Sequence, residues 1–151
     1  MEAVVLAGGL GTRLREAVPD LPKAMAPVNG KPFLEILLGY LNTQGVDHVV
    51  LSLGYLAERI NAHFGDRHGD IRLSYCIEDS PLGTGGAMRE AMTYISGDHA
   101  LALNGDTLVE LSLAGMQARW QQTQRPVMAV RQVPNVARYG EVTLDEHNFV
   151  S

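Results

Sequence analysis

Cysteine is almost missing. The one thiol in 151 residues, Cys76, has no partner for an intramolecular disulfide or a cysteine-based zinc cluster, which excludes disulfide-stapled scaffolds and points to an intracellular chain with Cys76 in its core. Long hydrophobic runs are also missing. No segment approaches the roughly 20 apolar residues that span a bilayer, and Met1-Glu2-Ala3-Val4-Val5-Leu6 carries no basic stretch ahead of such a run. The expectation is a cytoplasmic protein without a membrane partner. Positive charge is in deficit, with 12 Lys and Arg against 17 Asp and Glu and a formal net charge of −5. Nucleic acid therefore meets no attractive field, and any phosphate must be held by a few placed groups. The five histidines, His48, His63, His68, His99 and His147, lack metal-ligand spacing and read as surface or capping residues. No G-x-S-x-G turn exposes a nucleophile, Ser52 and Ser74 falling inside strands, and no Ser-His or Cys-His arrangement is evident. Covalent hydrolase chemistry is excluded on that reading.

What is present is an ordinary globular composition, 46% hydrophobic and 19% charged, in a chain long enough for one domain that buries roughly 68–70% of its unfolded surface. Residues 2–7 form a short apolar run halted by Gly8-Gly9, as in a strand buried on both faces. After Pro32, Phe33, Ile36, Leu37, Tyr40 and Leu41 repeat with helical spacing, and Gly45 offers a stop. A buried strand follows at Val49–Leu53, then a helical face of Leu56, Ile60 and Phe64 closed by Gly65, then the alternating strand Ile71, Leu73, Tyr75 and Ile77. Ala87, Met88, Ala91, Met92 and Ile95 suggest a helix, Ala100–Leu103 a buried strand, and Leu113, Met116 and Trp120 another helix. Val127–Val133 and Glu141–Leu144 read as further strands. Short apolar strands separated by helices need crossover connections, so the expected class is α/β, a Rossmann-like open and mostly parallel sheet with helices on both faces. Ligands bind such sheets beyond the strand C-termini. There is no internal repeat or linker, and the long proline-bearing loop from Arg15 to Gly30, which contains Lys23, is of a length that is usually functional.

Three segments carry candidate chemistry. Gly8-Gly9-Leu10-Gly11-Thr12-Arg13-Leu14 follows the first strand, where glycines let backbone N–H groups approach a ligand; it reads either as a phosphate cradle or as a structural turn. It is not a P-loop, because no Gly-Lys-Ser/Thr follows, and Leu14 occupies the third glycine position of the dinucleotide fingerprint. Arg13 offers a planar fork of donors and Lys23 a compact charge, a pair suited to a triphosphate, though each alone is an ordinary surface cation. The run from Glu78 through Pro81-Leu82-Gly83-Thr84-Gly85-Gly86-Ala87 joins a strand to a helix. It suits close approach to a flat nucleobase, or is simply a tight turn with Thr84 as helix cap. Leu103-Asn104-Gly105-Asp106-Thr107 presents an aspartate at the edge of the sheet, positioned like a magnesium ligand or a turn cap.

Together with Leu6-Ala7, Pro22-Lys23-Ala24-Met25-Ala26-Pro27, Gly30-Lys31-Pro32 and Arg138-Tyr139-Gly140, these segments resemble, in order and over essentially the whole chain, the sugar-1-phosphate nucleotidyltransferases. The resemblance implies attack of a sugar 1-phosphate on the α-phosphorus of a nucleoside triphosphate, with Mg2+ assisting and pyrophosphate released. It implies Arg13 and Lys23 as catalytic groups, and Leu6, Ala7, Gly8, Gly9, Gly11, Thr12, Glu78 and Gly83 as nucleotide-binding. Asn104, Tyr139 and Gly140 would meet the sugar, and Asp106 the metal. Lys31-Pro32-Phe33-Leu34-Glu35 with Pro81–Gly86 looks most like the D-glycero-D-manno-heptose 1-phosphate guanylyltransferases, which favours GTP and a heptose or mannose phosphate as partners; mannose-1-phosphate guanylyltransferases and related uridylyl or thymidylyl enzymes are close alternatives, and a homo-oligomer is left open. Family members continue into a Phe-x-Glu-Lys-type segment and a second metal aspartate, whereas this sequence closes on Phe149-Val150-Ser151. The expectation is thus the nucleotide-binding part of the domain over residues 1–151, without the C-terminal sugar-binding portion, binding nucleotide but turning over poorly or not at all. A nucleotide-binding or assembly module without catalysis is the alternative. A dehydrogenase-like domain is disfavoured by Leu14 and the Lys23 loop.

Overall fold

The computed structural model describes residues 1–9, 21–137, 140–147 and 149–150. They fall into two compact units, Met1–Leu111 and Ser112–Ser151.

The first unit is built on a five-stranded sheet. Strand β1 (Glu2–Leu6) lies between β4 (His48–Leu53) and β7 (Leu101–Asn104), β6 (Ile71–Ile77) lies outside β4, and the two-residue β5 (Arg67–His68) closes the far edge. All pairings are parallel except β5 with β6. The apolar runs explain the centre: Ala3, Val4 and Val5 of β1 and every residue of β4 are buried, as expected of strands covered on both faces. The chain runs outward from β1 to β4 to β6, then returns through helix α3 (Gly83–Ala91) to β7 on the other side of β1. Right-handed crossovers therefore put α1 (Phe33–Thr43) and α2 (Ala57–Phe64) on one face and α3 on the other. On the α3 face Val4, Val50, Cys76 and Ala91 form a buried cluster backed by Leu6 and Ile95, and this burial pushes the Cys76 thiol up from its ordinary value.

Several details depart from the expected pattern. Helix α1 buries Leu37 and Leu41 of the expected stripe, but with Leu34 and Leu38 in place of Phe33, Ile36 and Tyr40. Apolar residues surround the helix on more than one side, and Tyr40 is drawn off by Leu111, whose carbonyl accepts its hydroxyl at 2.6 Å and whose N–H it accepts at 3.1 Å. In β6 the alternation breaks: Ile71, Leu73 and Cys76 are buried while Ile77 is 50% exposed, because the last part of the strand is covered on the α3 side instead. Strand β7 is not buried; it alternates half-buried and exposed residues at the edge of the described sheet. Thr84 does not cap α3, which begins one residue earlier with Leu82 in the capping position. Between residues 21 and 32 the chain makes a 3-10 turn at Lys23–Met25 and a small hairpin, β2 (Pro27–Val28) with β3 (Lys31–Pro32). Asn29 and Gly30 turn it with φ of 49° and 79°, the all-positive geometry that Asn-Gly favours.

His48 is neither a surface nor a capping residue. It is 2% exposed, with Nδ1 2.7 Å from Glu2 Oε1 and Nε2 2.9 Å from Ser74 Oγ. A Ser-His arrangement thus exists that the one-dimensional reading missed, because parallel pairing of β1, β4 and β6 creates it. It lies at the N-terminal ends of the strands and is a strap: the same Glu2 carboxylate accepts the N–H groups of Ser96 and Gly97 at 3.1 and 2.8 Å. Burial raises the Glu2 carboxyl, but the bonds from His48, Gly97 and Ser96 outweigh it and hold the group below its ordinary value.

The second unit carries helix α4 (Leu113–Thr123), as expected, capped by Ser112 Oγ accepting the Gly115 N–H at 3.1 Å. The strands expected at Val127–Val133 and Glu141–Leu144 do not form; among the described residues of this unit the pairing is an isolated bridge between Leu144 and Val150. Alternation marks a face but supplies no ladder partner, and a strand exists only with one. The Arg125 guanidinium stacks 4.9 Å from the centre of the Phe149 ring.

Candidate nucleotide site

Reversal of the strand order between β1 and β7 creates a topological switch point, the place where open parallel sheets leave a crevice beyond their strand C-termini. Two glycine-bearing turns leave the sheet there. Ala7 N–H bonds the Ser52 carbonyl at 2.8 Å and Gly105 N–H bonds the Leu6 carbonyl at 2.8 Å, so both turns stay strapped to the sheet after pairing ends. Gly105 cannot be otherwise: a Cβ there would lie 2.7 Å from Ala7 Cβ and 3.1 Å from the Leu6 carbonyl oxygen.

Asp106 follows directly, and its Oδ2 accepts a hydrogen bond from Lys23 Nζ across the crevice. Thr107 Oγ1 donates to Oδ1 at 3.0 Å. The Lys23 bond holds the Asp106 carboxyl below its ordinary range, with burial opposing it and the Thr107 bond adding to it. The cleft between them, about 210 Å³, is lined by Leu6, Ala7, Gly9, Lys23, Asn104 and Asp106 among others. Residues far apart in sequence thus converge at one edge of the sheet.

Gly8 belongs to the same turn but faces sideways, toward β4 and β6. A Cβ on it would lie 2.9 Å from Glu78 Oε1, and one on Gly54 would lie 3.0 Å from the Gly8 carbonyl oxygen. Glu78 directly follows β6 on the way to α3, its Oε2 accepting the Leu82 N–H at 3.0 Å. Gly83 opens α3 with φ of 68°, a conformation that favours glycine. Gly140 lies in the second unit. Gly11, Thr12, Arg13 and Tyr139 lie outside the described residues. Two residues of this region escaped the sequence reading. Gly54 follows the second buried strand as Gly8 follows the first, and Ser52 is a polar residue in a wholly buried strand; those were the available signals.

Among the described residues no three of His, Cys, Asp or Glu come together to hold a metal ion. Asp106 is a carboxylate lining the cleft, and the Lys23 bond holds it below its ordinary range. That donor set fits Mg2+, which takes one or two protein carboxylates and completes its octahedron with water and phosphate oxygens. Among the described residues no helix is long and apolar enough to cross a membrane.

Residues 2–151 match the family model described as nucleotidyl transferase. The chain is 41% identical, over 99% of its length, to D-glycero-alpha-D-manno-heptose 1-phosphate guanylyltransferase of Campylobacter jejuni, and 44% identical, over its full length, to the enzyme of the same name from Aneurinibacillus thermoaerophilus. It spans 66% of the length of each of these two relatives. Among solved structures it is similar to HddC from Yersinia pseudotuberculosis complexed with GMP-PN, with a TM-score of 0.85 and 38% identity over 99% of this chain and 67% of that one.

Proposed function

This chain belongs to the nucleotidyl transferase family, and from that premise we propose that its switch-point cleft binds a nucleoside triphosphate, GTP by preference, for transfer of the nucleotide to a sugar 1-phosphate of the heptose or mannose type. A phosphate oxygen of the sugar 1-phosphate forms a bond to the α-phosphorus, the bond from that phosphorus to the α,β-bridging oxygen breaks, and pyrophosphate leaves with that oxygen. Such in-line transfer asks for positioning and charge neutralisation more than for a protein nucleophile. The choice of guanine and of a heptose rests on the names borne by the two relatives of 41% and 44% identity.

The observation that carries this reading is the Lys23–Asp106 pair facing the Gly8-Gly9 turn at the β1/β7 switch point. In it, Lys23 and Arg13 neutralise the triphosphate, and Gly8, Gly9, Gly11 and Thr12 are assigned to the nucleotide by the family resemblance. Leu6, Ala7, Glu78 and Gly83 line the nucleoside and Asn104 meets the sugar; Tyr139 and Gly140 are assigned to the sugar by the family resemblance alone. Asp106 would hold Mg2+, which when bound supplies positive charge to the phosphate oxygens. Lys23, which lines the same cleft, supplies a further positive charge to those oxygens.

The test is incubation of the chain with GTP, Mg2+ and a heptose or mannose 1-phosphate, with pyrophosphate release and nucleotide-sugar formation measured. Product formation supports the transferase. Saturable GTP binding without product is the result expected of a nucleotide-binding module, and absence of GTP binding overturns both.

A further inference from the structure

Ser52 is a fully buried hydroxyl near the C-terminal end of β4. A buried hydroxyl in a strand is unfavourable unless it is partnered, and its partner here is specific: Ser52 Oγ donates to Glu78 Oε1 at 3.2 Å. The backbone carbonyl of the same serine accepts the Ala7 N–H at 2.8 Å. One residue therefore touches both the strand end that opens the first glycine turn and the carboxylate that anchors the second.

Glu78 is fixed from two sides, Oε1 by Ser52 and Oε2 by the Leu82 N–H at 3.0 Å. It is half-buried, and Oε1 stands 2.9 Å from the place a Gly8 Cβ would take. A carboxylate oxygen has two lone pairs, so each oxygen keeps one acceptor position after these bonds. Two acceptors side by side match a ligand edge that offers two adjacent donors. Guanine has such an edge, its ring N1–H beside its exocyclic amino group, whereas adenine places an unprotonated ring nitrogen there and meets the carboxylate with lone-pair repulsion. The last torsion of a glutamate is broad and weakly held, so the direction depends on its partners.

We propose that Ser52 is a positioning residue for base selection, holding the Glu78 carboxylate in the orientation that prefers a guanine edge over an adenine edge. This rests on the assignment of Glu78 to the nucleoside in the proposed function. Removing the hydroxyl leaves the phosphate side of the cleft untouched, because the Ala7 bond uses the Ser52 backbone. Selectivity then falls while phosphate affinity does not.

The experiment is calorimetric titration of the chain and its Ser52→Ala variant with GTP, ATP and inorganic tripolyphosphate, each with Mg2+. Ser52→Ala should lower the preference for GTP over ATP roughly tenfold, the worth of one hydrogen bond to a charged group, with tripolyphosphate affinity unchanged. Glu78→Gln should lower the preference as well, and adding Ser52→Ala to it should lower it no further, since the serine acts through the carboxylate. An unchanged GTP/ATP ratio in Ser52→Ala, an equal loss for all three ligands, or additive effects in the double variant would each overturn the proposal. If the unsubstituted chain binds tripolyphosphate but shows no preference for GTP, this inference fails while triphosphate binding stands. If it binds neither GTP nor tripolyphosphate, the nucleotide reading itself fails and this one with it.

Discussion

Lys23 and Asp106 are 45% and 37% exposed at their side chains, so their attraction is screened by water and adds little to stability. Its importance is to hold both groups at the mouth of the cleft, with Lys23 keeping the Asp106 carboxyl below its ordinary range. Replacing Lys23 with Met should therefore leave the thermal midpoint nearly unchanged and weaken GTP binding by roughly 10- to 100-fold, the range expected for a lost charge-assisted contact. NMR titration of the Asp106 carboxyl in the same variant should show its pKa rising, since the Lys23 hydrogen bond is the largest cause of its depression. A carboxyl that titrates as before would show that the pair does not form in solution. Gly105 lies at the other extreme, where packing dominates. An alanine there places its Cβ 2.7 Å from Ala7 Cβ, so Gly105→Ala should cost about 1–3 kcal/mol by overpacking and should push the first glycine turn outward. Denaturant unfolding measures the first effect; reduced GTP affinity reports the second.

The α3 face of the sheet carries a polar group at each end and an apolar cluster between: Glu2, His48 and Ser74 at the N-terminal end, Ser52 and Glu78 at the C-terminal end. The N-terminal group ties the segment that leads into β7 to β1 and β4 through Ser96 and Gly97, and β7 carries Asp106 to the cleft. The folded Glu2 carboxyl lies below its ordinary value, so the stability it contributes is present above the unfolded-chain pKa, about 4.3. It is lost as pH falls through the folded value. Glu2→Gln should accordingly lower the thermal midpoint by a few degrees at pH 7, and the difference from the unsubstituted chain should shrink below about pH 4. A gap that stays constant from pH 7 to pH 3 would show that the charge on Glu2 is not what the strap uses.

For the first compact unit as a whole, the reversal between β1 and β7 sets where a ligand can act. Hydrogen exchange with saturating GTP and Mg2+ should protect the amides of Leu6 to Gly9 and of Asn104 to Asp106, and leave those at the β5–β6 turn unaffected. At a hundredfold excess over its dissociation constant the nucleotide should add about 2.7 kcal/mol. Protection concentrated at the N-terminal strand ends would relocate the site.

Strands β1 and β4 and helices α1, α2 and α4 were legible in the sequence because their signals are local: apolar runs between turn residues and a repeat near 3.6 residues. The glycine turns, Lys23 and Asp106 were legible as residue types suited to phosphate and metal, and the family resemblance added their roles. No local pattern reveals which strand neighbours which. The salt bridge across 83 residues, the His48 strap, the Ser52–Glu78 contact, the exposed edge position of β7 and the missing ladders after residue 123 were all decided by tertiary structure. Their physical cause is the same throughout. Backbone pairing and side-chain contact between distant segments depend on which partners the topology delivers, and a one-dimensional pattern contains residue preferences but no partners.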